Sequence, residues 1–311
     1  MRATPGDGHD RLAVLYFAAQ AVAGALWWGA VFLSEDVRRL TLGTWPLALV
    51  APLDIPLFVV ASATTAVTRS ARWAIVTACW TVGITVALCI YAFATREAGW
   101  GAFLMTLAAG ATVAAAMVLV RGHVPVGWFF AGPFSFRPAQ QRSPVSNVFH
   151  SLAQLVTFWT AFFVVLPLVL GWAEQRLHLD APLLDGSALM WCGAVIFALG
   201  SAAGLWSCIS MAVVGEGTPL PAATGRRLVV SGPYRFVRNP MAVAGAAQTV
   251  GAGLYVGSWT VLLAALLGGL LWNAFIRPSE EADLSARFGT AYDEYHDRVR
   301  CWLPAPPSDT H

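Results

Sequence analysis

Polar residues that could bind a ligand are concentrated near the C-terminus of this 311-residue chain, first in residues 213–240. There Arg235, Arg238 and Asn239 precede Pro240 and a long apolar run. Proline suits the first turn of a helix, because its missing N–H would have no partner there. We therefore expect Asn239 to cap a helix that begins at Pro240. The backbone amides of that helix start, with the two arginines beside them, would attract a carboxylate or a phosphate.

A second polar segment, residues 277–304, has the spacing of an amphipathic helix, interrupted or bent at Gly289. Its apolar positions are Leu284, Phe288, Tyr292, Tyr295 and Val299. Glu280 and Glu281 stand at its start and allow two interpretations. They could complement the positive end of a helix capped by Ser279. Alternatively, the acidic pair could bind a cation or a ribose.

Together the two segments contain the groups that S-adenosylmethionine would need. Arginines and helix amides suit its carboxylate, an acidic pair suits its ammonium or its ribose hydroxyls, and tyrosines suit its sulfonium. Gln248 and Asn273 are polar residues inside apolar runs. We expect them to face one another across a helical hairpin and to line the cofactor pocket.

Several other chemistries lack the residues that they require. The chain contains no lysine, which excludes Schiff-base chemistry and a phosphate-binding P-loop. Its five cysteines and six histidines are not spaced as metal ligands, so we expect no metal. No G-x-G-x-x-G motif follows a strand, and the net charge of +2 gives no reason to expect nucleic acid as a partner.

The elements that position these residues must be membrane helices. Hydrophobic residues make up 57% of the chain and charged residues 12%, about half the charged fraction of soluble domains. Apolar runs of membrane-spanning length predict an all-α polytopic membrane protein with about eight transmembrane helices. The predicted spans are residues 12–33, 46–67, 73–95, 100–120, 152–172, 188–211, 241–256 and 259–276. Residues 241–276 would measure about 54 Å as one helix, so we expect them to fold back at Gly257-Ser258 as a C-terminal helical hairpin, followed by the cytoplasmic amphipathic helix.

The arginines orient these spans. With the N-terminus inside, 15 of the 19 arginines fall on the cytoplasmic side, as the positive-inside rule requires. We expect a multi-pass protein of the plasma membrane with both termini in the cytoplasm. The predicted domains are a four-span region of unknown role at residues 1–122, a cytoplasmic linker at 123–150, a catalytic membrane domain at 151–304 and a disordered tail at 305–311.

The motif GPYRFVRNP, a helical hairpin, and then an acidic pair followed by FG-x-x-Y-x-x-Y resemble the isoprenylcysteine carboxyl methyltransferase family and the related phospholipid methyltransferases. The resemblance covers residues 213–304 and, more weakly, the chain from Leu152. It implies an integral-membrane methyltransferase with a cytoplasmic S-adenosylmethionine pocket and a lipophilic acceptor that enters from the bilayer. The acceptor group would be the carboxylate or amine of a prenylated or lipid substrate, and membrane lipids are the other expected partners.

The resemblance assigns roles to individual residues. Arg238 and Glu281 are the expected catalytic residues. With Gln248 added from the hairpin argument, the expected cofactor-binding residues are Tyr234, Arg235, Arg238, Asn239, Pro240, Gly245, Gln248, Glu280, Glu281, Tyr292 and Tyr295. Two positions depart from the family pattern: Asn239 replaces the histidine of the eukaryotic carboxyl methyltransferases, and Ala242 replaces a tyrosine that usually follows the proline.

Other interpretations stay open at this point. The chain could be an NADPH-dependent membrane reductase resembling sterol reductases, with Arg226 and Arg227 at the 2′-phosphate. It could also be a catalytically silent scaffold or carrier, in which the intramembrane Asp54 is the transport residue. The arginines between Arg277 and Arg300 could bind anionic lipid headgroups.

Overall fold

The computed structural model describes residues 5–125, 144–179, 184, 186–216 and 225–303, and within these ranges the secondary structure is entirely helical. The helices are α1 (Pro5–Leu33), α2 (Glu35–Leu42), α3 (Leu47–Thr68), α4 (Ala71–Thr95), α5 (Gly99–Arg121), α6 (Pro144–Thr160, continued by Ala161–Val165 and Leu166–Arg176), α7 (Ser187–Val213), α8 (Pro240–Val256), α9 (Trp259–Phe288) and α10 (Thr290–Arg298). This confirms the predicted all-α class.

Seven of the described helices are long and apolar enough to cross a membrane, one fewer than the eight spans expected. The difference lies in α8, which has 17 residues and is therefore about 26 Å long, shorter than a bilayer core of about 30 Å. The predicted hairpin is present. Gly257 ends α8 with a φ of +70°, and the Ser258 hydroxyl accepts the amide of Val261 to cap α9.

The chain divides into two compact units, residues 1–125 with 175–179, and residues 126–174 with 180–311. The predicted boundary at residues 122 and 123 lies close to the end of the first unit. Most of the predicted linker at 123–150 and the whole tail at 305–311 lie outside the described residues. The roles assigned to the domains stay predictions.

In the first unit, α1 packs against α3 and α5, and α4 packs against α5. The carboxylate of Asp54 is 5% exposed and joins three of these helices. Its Oδ2 accepts the indole N–H of Trp28 on α1 at 2.8 Å, and its Oδ1 accepts that of Trp80 on α4 at 2.7 Å. Each oxygen of this buried acid thus has a donor, as a polar group in an apolar interior requires.

In the second unit, α7 and α8 pack closely through glycines. A Cβ on Gly193 would lie 2.6 Å from the carbonyl oxygen of Gly251, so neither position has room for a side chain. Gln248 lies in the same interface, donating to the carbonyl of Gly200 and accepting from Ser201. At the far end of the hairpin, the buried Glu174 accepts the backbone amide of Thr260 at 3.2 Å.

Candidate functional site

The last residues of the connection between α7 and α8 have the predicted structure, a turn followed by a helix cap. Gly232–Arg235 form a single 3₁₀ turn, and the chain then reaches Asn239. The side chain of Asn239 accepts the amide of Ala242 at 3.0 Å, and Pro240 is the first residue of α8. Asn239 is therefore the expected N-cap.

Two adjacent side-chain pairs join this connection to α9. Arg238 Nη2 donates to Glu281 Oε1 at 2.9 Å, and Asn239 Nδ2 donates to Glu280 Oε2 at 3.0 Å. Glu281 Oε1 also accepts Arg277 Nε at 3.0 Å. The two motifs that lie about 40 residues apart in the sequence are thus in direct contact.

The structure overturns the helix-end interpretation of the acidic pair. α9 runs without a break from Trp259 to Phe288, so Ser279 lies in the interior of a helix and not at its start. Its hydroxyl donates to the carbonyl of Phe275, one turn back, at 3.3 Å. The glutamates therefore do not lie at the N-terminus of their own helix, and their position has to be explained by the residues that they face.

Arg238 holds the C-terminal segment in place. Its Nη1 donates to the carbonyl oxygens of His296 at 2.6 Å and Val299 at 3.0 Å, and its backbone amide donates to Arg300. The side chain is 9% exposed, and Nε is buried without a partner in the described part of the chain. Arg238 is therefore committed to protein groups, and we regard it and Glu281 as positioning residues.

Three tyrosines pack where the segments meet. Tyr234, Tyr292 and Tyr295 are all buried, and the Tyr295 hydroxyl donates to the carbonyl of Tyr234 at 2.6 Å. Burial raises the pKa of each of these phenols well above its ordinary value. All three are uncharged at physiological pH.

A cavity of about 700 Å³ lies between these residues and the helices α6, α8 and α9. Its polar end is lined by residues of the two motifs and of the preceding turn. These are Arg227, Tyr234, Arg238, Asn239, Arg277, Glu280, Glu281, Asp283, Tyr292 and Tyr295. Its apolar end is lined by small residues of α8 and α9 and by aromatic residues of α6. These are Ala242, Gly245, Ala246, Thr249, Ala264, Ala265, Gly268, Gly269, Phe158, Phe162 and Phe163.

Eight of the eleven expected cofactor residues line this cavity, and three do not. Arg235 is exposed, with its guanidinium 4.5 Å from the ring centre of Phe236. Pro240 is buried in the first turn of α8. Gln248 contacts α7 and does not face Asn273, whose oxygen accepts Arg277 and Trp302 instead.

The structure also adds residues that the sequence did not indicate. Asp283 and Phe288 line the polar part of the cavity because α9 continues straight through the acidic pair. Arg227, considered only for a 2′-phosphate, is at the same end and pairs with Glu216 at 2.9 Å. Gly268 and Gly269 border open space, since a Cβ at either would have no neighbour within 4 Å. In the sequence, the only sign of this open space is that both glycines lie on one face of the same helix.

The fold and the cavity define a class, that of multi-pass membrane proteins whose helical hairpin borders a pocket with one polar and one apolar end. Residues 188–291 match a family model described as phospholipid methyltransferase. The match covers about a third of the chain, from α7 to the start of α10. The resemblance seen in the sequence is thereby confirmed for this segment, which indicates a membrane methyltransferase. No curated protein and no solved structure matches the chain.

Proposed function

We propose that the second unit is an S-adenosylmethionine-dependent methyltransferase for a lipophilic acceptor. One observation carries the proposal most directly: a single cavity joins a charged end, built by the two polar motifs, to an apolar end between membrane helices. A methyl donor that is charged and an acceptor that comes from the bilayer need these two environments side by side.

The residues at the polar end fit the donor. Glu280 accepts one hydrogen bond, from Asn239, and pairs with no cation among the described residues. Its remaining lone pairs are available to an ammonium group or to ribose hydroxyls. Tyr292 and Arg227 line the same end of the cavity. The neutral phenol of Tyr292 suits the sulfonium, and the guanidinium of Arg227 suits the carboxylate. When bound, S-adenosylmethionine supplies an electrophilic methyl group.

The apolar end fits a hydrocarbon chain. Ala264 is the first residue of α9 that lines the cavity and lies 16 residues before Glu280. At 1.5 Å per residue this is about 24 Å along the helix, most of a bilayer core of about 30 Å. Small side chains on α8 and α9 leave the space open, and the aromatic residues of α6 close it. This supports an acceptor whose head group stays near Glu280 while its tail lies along the hairpin.

The chain contributes alignment and the exclusion of water, which are the main requirements of an in-line methyl transfer. The bonds of Arg238 to Glu281 and to the carbonyls of His296 and Val299 fix the wall that Tyr292 and Tyr295 provide. A carboxylate acceptor would need no base, whereas an amine would have to lose a proton. Glu280 is the candidate base for an amine, because Glu281 is engaged by two arginines. This role would compete with its contact to the cofactor, and we propose that Glu280 holds the cofactor.

We place this site at the cytoplasmic face of the plasma membrane, with both termini in the cytoplasm. The distribution of the arginines supports this orientation, since Arg227, Arg238 and Arg277 all border the polar end of the cavity.

Binding of S-adenosylhomocysteine and of NADPH to the detergent-purified full chain tests the proposal. We expect S-adenosylhomocysteine to bind and Glu280→Gln to weaken it by about tenfold or more, the effect of losing a charged hydrogen bond. Glu294→Gln is the matched control, because Glu294 is exposed on α10 and lies outside the cavity. Binding of NADPH alone would favour the reductase, and binding of neither would favour the silent scaffold.

A further inference from the structure

We propose that a second depression, formed by Arg238, Arg277 and the segment His296–Leu303, binds the phosphate group of an acidic membrane phospholipid. This groove has a volume of about 350 Å³ and is open to its surroundings. Its wall includes Arg277, His296, Arg300 and Trp302. The site does not depend on the proposed methyl transfer.

Positive charge in the groove exceeds the negative charge that could balance it. Arg238 and Arg277 share one carboxylate, Glu281. The acidic residue of the groove wall, Asp297, faces His296 at 3.3 Å. Arg300 is exposed, and its guanidinium has no partner in the part of the chain that the structure describes. An anion in the groove would therefore meet an uncompensated guanidinium.

Hydrogen-bond donors are also left over. Arg277 uses Nε for Glu281 and Nη1 for Asn273, which leaves Nη2 without a partner among the described residues. The exposed guanidinium of Arg300 offers a fork that can donate two parallel N–H bonds to the oxygens of a phosphate.

The groove lies where a lipid headgroup would be. Arg277 directly follows the last apolar turn of α9, Trp272–Ile276. Trp302 packs edge-on against Trp272 with ring centres 5.1 Å apart, and the neighbouring Leu303 is 68% exposed. Tryptophan and arginine at the end of an apolar helix are typical of the membrane interface, where acidic lipids attract basic side chains. This is why we favour a lipid over a free phosphate as the source of the anion.

Thermal unfolding of the detergent-purified full chain tests the proposal, with three separate additions: short-chain phosphatidylglycerol, phosphatidylcholine of equal chain length, and inorganic phosphate. The test variant is Arg300→Gln. Arg298→Gln is the matched control, since it removes the same charge two residues away, and Arg298 does not line the groove. A ligand that binds only the folded state raises the Tm, and the rise grows with the logarithm of the ligand concentration once that concentration exceeds Kd.

We expect phosphatidylglycerol to raise the Tm equally in the wild-type chain and in Arg298→Gln at each concentration, and phosphatidylcholine to raise it less. Arg300→Gln should need about tenfold more phosphatidylglycerol for the same shift, while its binding of S-adenosylhomocysteine is unchanged. An equal shift with inorganic phosphate that also depends on Arg300 would support the site and assign it to free phosphate. Identical responses of the two variants to every addition would overturn it.

Discussion

At the scale of single residues, Arg238 connects the parts of the candidate site. One guanidinium pairs with Glu281 and donates to two carbonyl groups, and the side chain is 9% exposed. Arg238→Ala would leave two carbonyls without their side-chain donor and the partly buried carboxylate of Glu281 with only one of its two arginines. We expect it to lower the free energy of unfolding by about 3 kcal/mol and to abolish binding of S-adenosylhomocysteine, measured by thermal unfolding and titration in detergent.

Arg235 is the matched control for this experiment. It lies three residues away, carries the same charge and is exposed outside the cavity. Arg235→Ala should change stability by less than about 0.5 kcal/mol and leave ligand binding intact. Equal losses in the two variants would contradict the structural assignment of Arg238.

The buried tyrosines predict a loss of stability at alkaline pH. Burial raises the pKa of Tyr234, Tyr292 and Tyr295 in the folded state above the ordinary value of about 10. A raised pKa means that the folded state keeps protons that the unfolded state releases, so stability is present below pH 10 and falls as the pH rises above it. The unfolding midpoint measured from pH 8 to 11.5 should decline above pH 10. In Tyr292→Phe the decline should be shallower.

Asp54 gives a prediction in the first unit. Its two oxygens each accept one indole N–H, from Trp28 and Trp80. Asparagine offers a single oxygen and would turn an N–H₂ group towards the second indole. We expect Asp54→Asn to destabilise the protein by about 1–3 kcal/mol without affecting binding of S-adenosylhomocysteine. A fully stable variant that had lost a transport activity would instead support the carrier interpretation.

Residue types predicted the site only where local chemistry decides the outcome. Asn239 caps α8 because a short polar side chain before a proline satisfies a free amide at the helix start. Four consecutive residues of the sequence are enough to predict this cap. Gln248 was misplaced because its partner depends on which helix α8 packs against. The close contact of Gly193 with Gly251, which packs α7 against the face of α8 that carries Gln248, could not be predicted from the sequence.

At the scale of elements, the hairpin of α8 and α9 determines what the cavity can hold. Gly268 and Gly269 border its apolar end and have room for a larger side chain. Gly269→Leu should therefore leave binding of S-adenosylhomocysteine unchanged and reduce methyl transfer to acceptors with long chains more than to short ones. Product analysis by chain length measures this effect.

Gly110→Leu on α5 is the control, because Gly110 likewise has no neighbour within 4 Å of its added Cβ and belongs to the first unit. A loss of cofactor binding in Gly269→Leu, or the same loss of transfer in both variants, would contradict a tail-binding role for this part of the hairpin.

Element boundaries show what composition can and cannot predict. Apolar runs located the membrane-spanning helices of both units, since about 20 apolar residues are needed to cross a bilayer, but they did not indicate the short polar helix α2 or where α1 and α6 begin. Composition did not predict that α8 is too short to span a bilayer or that α9 continues past its apolar part. Whether a helix continues past Ile276 depends on contacts of the polar residues beyond it, here those of Glu281 with Arg277 and Arg238.

At the scale of the whole molecule, the two compact units differ in their chemistry. The first unit contains a buried carboxylate, that of Asp54, which is satisfied by two indoles. The second contains both the family match and the cavity. The arrangement supports a catalytic second unit, and it leaves the role of the first unit to be found by experiment.

The most direct test is transfer of a labelled methyl group from S-adenosylmethionine to membrane lipid extract by the purified full chain in lipid vesicles. We predict that label appears in a lipid-soluble product, that S-adenosylhomocysteine inhibits the transfer, and that Glu280→Gln reduces it at least tenfold while Glu294→Gln does not. A chain that binds S-adenosylhomocysteine and transfers no label to any lipid fraction would contradict the account. Transfer that is equal in both variants would contradict the site assigned here.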